Sequence, residues 1–191
     1  MPLKDVARFV SDLMREIGAD YVVIGGVAVS AVGEPRSTKD VDLVVLLPTS
    51  KAGELVALIE EKGRPVSRRP SVLSKLRAGK PAKILWDKKY SFDIRFASFT
   101  IDGNALSRAR TVNLPAYGTT LKVATPEDLI VYKLARFEDI DRGDIRKLIA
   151  LNALNWKYIA EQTPILADEA EKPEMLERLV TIKGWASTTP H

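Results

Sequence analysis

The 191-residue chain contains no cysteine, and its only histidine is the last residue, His191. The first absence excludes disulfides, zinc thiolates and cysteine nucleophiles. The second argues against a histidine base or metal cluster, because a chain terminus is ordinarily frayed. No apolar run approaches the ~20 residues that a membrane-spanning helix needs. The opening stretch MPLKDVARFVSDLM carries acids within its apolar pattern, unlike a secretory leader. The expectation is a cytoplasmic protein without membrane contact, whose chemistry runs on carboxylates, hydroxyls, lysines and arginines.

Apolar residues make up 46% of the chain and charged residues 28%, as in an ordinary globular protein. At this length the expectation is one domain, or one domain with a helical appendage. The net charge of +4 is unevenly spread. Residues 62–89 hold ten Lys or Arg and a single acid, Asp87, so the remainder is mildly acidic. A basic segment on an acidic body fits a polyanion such as nucleic acid or a nucleotide's phosphates, and equally a solvated lysine-rich face.

Periodicity divides the chain near residue 124. Val6, Phe9, Val10, Leu13, Met14 and Ile17 form a helical stripe. DYVVIGG reads as a short buried strand ending at glycines, and VAVSAVG as a helix from Gly26 to Gly33. DVDLVVLL reads as a central strand stopped by Pro48. KAGELVALIEEKG is an amphipathic helix, and a further helix is expected around 71–78. AKILW and YSFDIRF are strands joined by a tight DKK connection, and two short strands follow near 111–114 and at TTLKVA. From Thr125 the text turns helical: Thr125 suits an N-cap, Pro126 the first helical position, and Asp128 a capping box. DIRKLIALNAL and PEMLERLVTIKGW are two further helical patterns. The fold class expected is α+β: a mixed β-sheet flanked by helices, followed by a small carboxy-terminal helical part.

The carboxylates carry the functional argument. With 25 acids in 191 positions, acid-x-acid pairs arise about three times by chance, and three are present. Only Asp40 and Asp42 lie in strand text, where alternate side chains share a face. At ~3.3 Å per residue, two like charges so placed repel unless a cation sits between them. Val41, Leu43, Val45 and Leu47 make the other face apolar. In KYSFDIRF, Tyr90, Phe92, Ile94 and Phe96 share one face, which leaves Asp93 as a third strand carboxylate beside Ser91 and Arg95. Three acids with no His or Cys suit Mg²⁺ or Mn²⁺. The alternative for Asp93 is a half-exposed acid paired with Arg95 or a lysine. Upstream, Gly25 and Gly26 stand between a strand and a helix start, where the backbone can approach a phosphate.

A Gly-Gly turn, Asp-x-Asp on the next strand and an acid on a later strand resemble the nucleotidyltransferase superfamily, with its polymerase-β-like fold. Gly25-Gly26, PRSTKDVDLVV and TPEDLIVYKLARFEDIDRGDIRKL are most similar to blocks of small AbiEii-like, toxin-type prokaryotic nucleotidyltransferases, over residues 20–150. The resemblance implies that Asp40 and Asp42 bind catalytic Mg²⁺ (or Mn²⁺), and that Asp93 completes the site or accepts the acceptor's proton. It implies that Lys133 reaches a phosphate, that Arg36, Ser37 and Thr38 lie beside the nucleotide, and that Asp141 and Asp144 match paired aspartates of the downstream helix, with Asp144 among the nucleotide-binding residues. The simpler alternatives are a solvated Lys133 and a surface pair of Asp144 with Lys147. The chain departs from the pattern at Glu138-Asp139-Ile140-Asp141, where those proteins often read Arg-x-Lys-Asp.

On this reading residues 1–124 form the catalytic core and residues 125–191 a helical region completing the nucleotide site. The expected activity transfers a nucleoside monophosphate from an NTP to an acceptor hydroxyl, with RNA or tRNA as an acceptor through residues 62–89. A toxin of this type would also have a cognate antitoxin. The competing expectation is a non-catalytic RNA- or partner-binding protein that keeps the fold. An antibiotic-modifying enzyme would instead want an acidic acceptor pocket.

Overall fold

The computed structural model describes residues 2–64, 66 and 68–188; His191 lies outside them. The element order is α1 (Pro2–Ile17), β1 (Asp20–Ile24), α2 (Gly25–Val32), β2 (Asp40–Leu46), α3 (Ala52–Glu61), α4 (Arg69–Arg77), β3 (Ala82–Leu85), β4 (Ser91–Phe96), α5 (Thr100–Arg108), β5 (Arg110–Leu114), β6 (Thr119–Val123), α6 (Pro126–Leu134), α7 (Asp139–Leu151), α8 (Trp156–Glu169) and α9 (Met175–Thr188). The strands form one mixed sheet in the order β3-β4-β2-β1-β6-β5. The β2–β4 and β1–β6 pairs are parallel; the other three are antiparallel. The expected α+β class, with helices α6–α9 at the carboxy-terminal end, is what the chain adopts.

The sheet is covered on both faces. Val44 and Val45, which point to opposite sides of β2, are both fully buried. On one side Phe9 of α1 packs against Phe92 of β4, with ring centroids 5.7 Å apart. On the other side Arg95 of β4 meets Asp102 of α5. The apolar stripe of α1 and the alternating residues of β4 thus meet in the core, leaving Asp93 and Arg95 on the face away from α1. Among the described residues no helix is long and apolar enough to cross a membrane.

Two helices, α5 and α8, add to the elements expected. The α5 text TIDGNALSR is poor in helix formers and carries Gly103. Its start is held instead by the Asp102 carboxylate, which accepts from the backbone N–H groups of Ser98 at 2.8 Å and Phe99 at 3.0 Å. Pro164 inside α8 reads as a helix breaker. Tertiary packing overrides it: Ile159, Thr163, Leu166 and Ala167 bury one continuous stripe.

Thr125 caps α6 as expected, its hydroxyl accepting from the Asp128 N–H at 3.4 Å, and Pro126 occupies the first helical turn. The Asp128 carboxylate does not return to the N-cap backbone. It accepts from the hydroxyls of Thr125 and Tyr158 and faces Arg108. These bonds tie the start of α6 to α5 and α8, so the helix that carries Lys133 has a fixed origin.

Candidate active site

The parallel pairing of β2 and β4 builds an acidic corner. Its register sets Asp42 directly beside Asp93 and Asp40 beside Ser91, whose hydroxyl donates to Asp40 Oδ1. On the other flank of β2, Ile24 pairs with Asp42, so the turn into α2 opens beside that carboxylate. All three aspartates line one cleft of about 540 Å³. Burial, then the charges of Asp93 and Asp40, push the Asp42 pKa up to about 6. Burial also raises the Asp93 pKa, against the opposing pull of Lys83.

Lys83 reaches back from β3, its Nζ 3.3 Å from Asp40 Oδ1 and 3.3 Å from Asp93 Oδ2. Burial would lower its pKa, but the two carboxylates outweigh that and hold the ammonium above the usual lysine range.

Both glycines of the turn are needed for space. Gly25 has φ +68°, and a Cβ there would fall 1.9 Å from Asp42 Oδ2. A Cβ on Gly26 would meet Arg36 Nη2 and Thr38 Oγ1 at 2.8 Å each. Gly25→Ala is therefore expected to cost about 1–3 kcal/mol and to displace the Asp42 carboxylate. Thermal melting and divalent-ion titration of the variant check both effects; unchanged melting and metal uptake would show that the corner tolerates a side chain.

A cationic group lines the same cleft. Helix α6 carries Lys133 in its last turn, and Phe137, at φ +58°, turns the chain into α7. Asp141 and Asp144, one turn apart on α7, are both buried. Asp144 lies 2.7 Å from Lys133 Nζ and 2.8 Å from Arg36 Nε, and accepts from Arg36 Nη2 at 3.0 Å. The Nε contact is an ion pair rather than a directed hydrogen bond. Asp141 accepts from Lys133 at 3.1 Å and from Arg136 at 2.7 and 3.1 Å. Burial would raise the Asp141 pKa, but Arg136 and Lys133 hold it below the usual carboxylate value. Two anions thus fix three cations, Arg36, Lys133 and Arg136, in the wall of the cleft.

A sequence family described as nucleotidyltransferase of unknown function, DUF6036, matches residues 2–177. The chain belongs to this family. Similar solved structures carry the same fold. The antibiotic-resistance factor ANT(2'')-Ia, studied in solution, has a TM-score of 0.58 at 16% identity, over 92% of this chain and 96% of that one. An antigenic nucleotidyltransferase-like protein from Paracoccidioides brasiliensis scores 0.55 at 18% identity, over 98% and 93%. The lincomycin-bound lincosamide adenylyltransferase LnuA scores 0.53 at 15% identity, over 76% and 96%. Curated protein sequences give no match.

In this nucleotidyltransferase-family chain, Gly25, Gly26, Arg36, Thr38, Asp40, Asp42, Asp93 and Lys133 line the cleft together. Two residues expected beside the nucleotide stand elsewhere. Ser37 is exposed outside the lining, and its carbonyl accepts from Arg36 Nη1 at 3.1 Å. Asp144 lies behind the wall, at 2% exposure, and holds two of its cations. Asp144 is not a surface partner of Lys147, which pairs with Glu34 at 2.7 Å. Nor is Lys133 solvated: it is 7% exposed and doubly paired. The lysine partner of Asp93 is Lys83, whereas Arg95 makes a bidentate bond to Asp102, 2.6 Å on each arm.

Lys83, Arg95, Tyr132 and Arg136 also line the cleft, although the sequence marked none of them as a site residue. Arg136 supplies a cation close to where the Glu138–Asp141 text departs from the family pattern. Tyr132 is tied to the Arg95–Asp102 pair by donating to Asp102 Oδ1 at 2.7 Å.

The donor set fits a hard divalent ion. It consists of carboxylates alone, an ammonium already lies between two of them, and Gly25 leaves room at the third. Among the described residues no three His, Cys, Asp or Glu side chains stand close enough together to hold a metal ion as they are placed. One ammonium offsets only part of the repulsion among three carboxylates, which keeps them apart.

Proposed function

We propose that the protein is an Mg²⁺- or Mn²⁺-dependent nucleotidyltransferase that moves a nucleoside monophosphate from an NTP onto an acceptor hydroxyl. The observation that carries this reading is the joining of two oppositely charged groups in one cleft: Asp40, Asp42 and Asp93, and Arg36, Lys133 and Arg136. Asp40 and Asp42, with Asp93 completing the set, would hold the divalent ion, which when bound neutralises phosphate charge and acidifies the attacking hydroxyl.

The rest of the work falls to the chain. The amides at the Gly25-Gly26 start of α2, with Arg36, Lys133 and Arg136, hold the β- and γ-phosphates. The acceptor oxygen attacks the α-phosphorus, the bond to the bridging oxygen of the β-phosphate breaks, and pyrophosphate leaves. Asp93, made more basic by burial, receives the hydroxyl proton. Ser37 and Asp144 act from outside the lining, Asp144 by positioning Lys133 and Arg36. On this reading residues 125–191 complete the nucleotide site begun by residues 1–124.

The surroundings of Asp93 favour an anionic acceptor, RNA or a tRNA end, over a cationic antibiotic. Lys83 touches Asp93, and the charge of Lys75 on α4 also acts on it. Arg77 and Lys80 are exposed on the same basic segment. A toxin role with a separate antitoxin rests on the motif likeness alone.

Titration with NTPs in the presence and absence of Mg²⁺ tests the enzymatic reading against a binding protein that merely keeps the fold. Metal-dependent NTP binding, lost in Asp42→Ala, is expected. Failure of every NTP to bind with Mg²⁺ present would favour the binding protein.

A further inference from the structure

We propose that Lys83 is a tethered counter-ion that holds the place of a divalent cation in the acidic corner and sets how tightly the site takes up metal. This rests on the reading that Asp40, Asp42 and Asp93 hold a metal.

The position of Lys83 is unusual for its element. β3 is an edge strand, where a lysine ordinarily extends into water and discourages pairing with another chain. The antiparallel register instead sets Lys83 beside Asp93, and the side chain lies back across the sheet to reach Asp40 one strand further on. One ammonium therefore touches carboxylates from two different strands at equal distance. It is 50% exposed, so it can swing into solvent without disturbing the core.

The charges decide its effect. Three carboxylates repel one another across neighbouring strands, and one ammonium offsets only part of that repulsion. A divalent ion still gains by entering, but it competes with the lysine for Asp40 and Asp93. The protein then binds metal more weakly than the same carboxylates would alone, and Lys83 keeps the corner folded until metal arrives. A lysine that merely oriented the carboxylates for the ion would have the opposite effect, since its removal would weaken metal uptake.

The sign of the change is the test. Mn²⁺ alone is titrated into wild-type protein, Lys83→Met, Lys83→Gln and Lys83→Arg, with free Mn²⁺ followed by electron paramagnetic resonance and folding by circular dichroism. Lys83→Met and Lys83→Gln should each bind Mn²⁺ about 5–10-fold more tightly, with Lys83→Arg at or below wild-type affinity. Equal or weaker binding in the two uncharged variants overturns the proposal and leaves the metal reading standing. No Mn²⁺ binding by any of the four proteins would instead overturn the metal reading, and this proposal with it.

Discussion

Asp42→Asn should abolish nucleotidyl transfer and at the same time make the metal-free protein more stable at neutral pH. The carboxylate is desolvated and stands beside Asp93 and Asp40, so its folded-state pKa is raised to about 6 from the ordinary 3.8. A raised carboxylate pKa means that the folded state binds the proton more tightly than the unfolded chain does. Its stabilising contribution is complete below about pH 4 and is lost as pH rises through about 6. Above that, ionised Asp42 costs the fold on the order of 1–3 kcal/mol. Asparagine keeps the shape and removes the charge. The variant should therefore melt several degrees higher than wild type in chelator at pH 7.5, and the gap should close near pH 4. Adding Mg²⁺ should raise the wild-type melting temperature and leave the variant unchanged, while transfer falls by at least ~10³-fold. A variant that melts lower than wild type at pH 7.5 without metal would show that the carboxylate is satisfied by the protein alone.

Asp144→Ala should be among the most damaging single changes outside the apolar core. Its carboxylate is 2% exposed and holds both Lys133 and Arg36. Removing it leaves Arg36 without its carboxylate and Lys133 with Asp141 alone, a loss of about 3–5 kcal/mol. Lys133→Met should be milder for stability, about 1–2 kcal/mol, because Arg36 and Arg136 still face the two aspartates. Its effect on NTP handling should be larger, with kcat/KM reduced about 100-fold. Lys133→Met combined with Asp144→Ala should be more stable than the sum of the single losses by about 1 kcal/mol or more, since the pair is coupled. Denaturant unfolding of the four proteins checks this cycle. Strict additivity would mean that the contact between Lys133 and Asp144 contributes nothing.

Strands and most helices were legible because their signals are local: the apolar stripe of α1, the alternation in SFDIRF, the Thr125-Pro126 start of α6. The acidic corner was legible for a related reason. Strand parity alone puts Asp40 and Asp42 on one face, and Asp93 stands out against its apolar neighbours. That Asp42 and Asp93 are adjacent depends on β2 pairing with β4 in parallel, across a connection that contains α3, α4 and β3. Only the family likeness pointed to that pairing.

Lys83 and Arg136 were not legible. Lys83 looks like any edge-strand lysine until the register of the hairpin sets it beside Asp93. Arg136 enters the cleft because Phe137 adopts a left-handed conformation that folds α7 back on α6, which bulky residues rarely signal. Helices α5 and α8 were hidden by Gly103 and Pro164, whose local cost is met by a carboxylate cap in one and a buried apolar stripe in the other.

The most direct test of the central claim is incubation of the protein with each α-labelled NTP, Mg²⁺ and total RNA, beside Asp42→Ala. Label should pass to RNA from wild-type protein only, and chelation of the metal should prevent it. Label that reaches RNA equally with Asp42→Ala would contradict the assignment of this carboxylate cleft as the catalytic site.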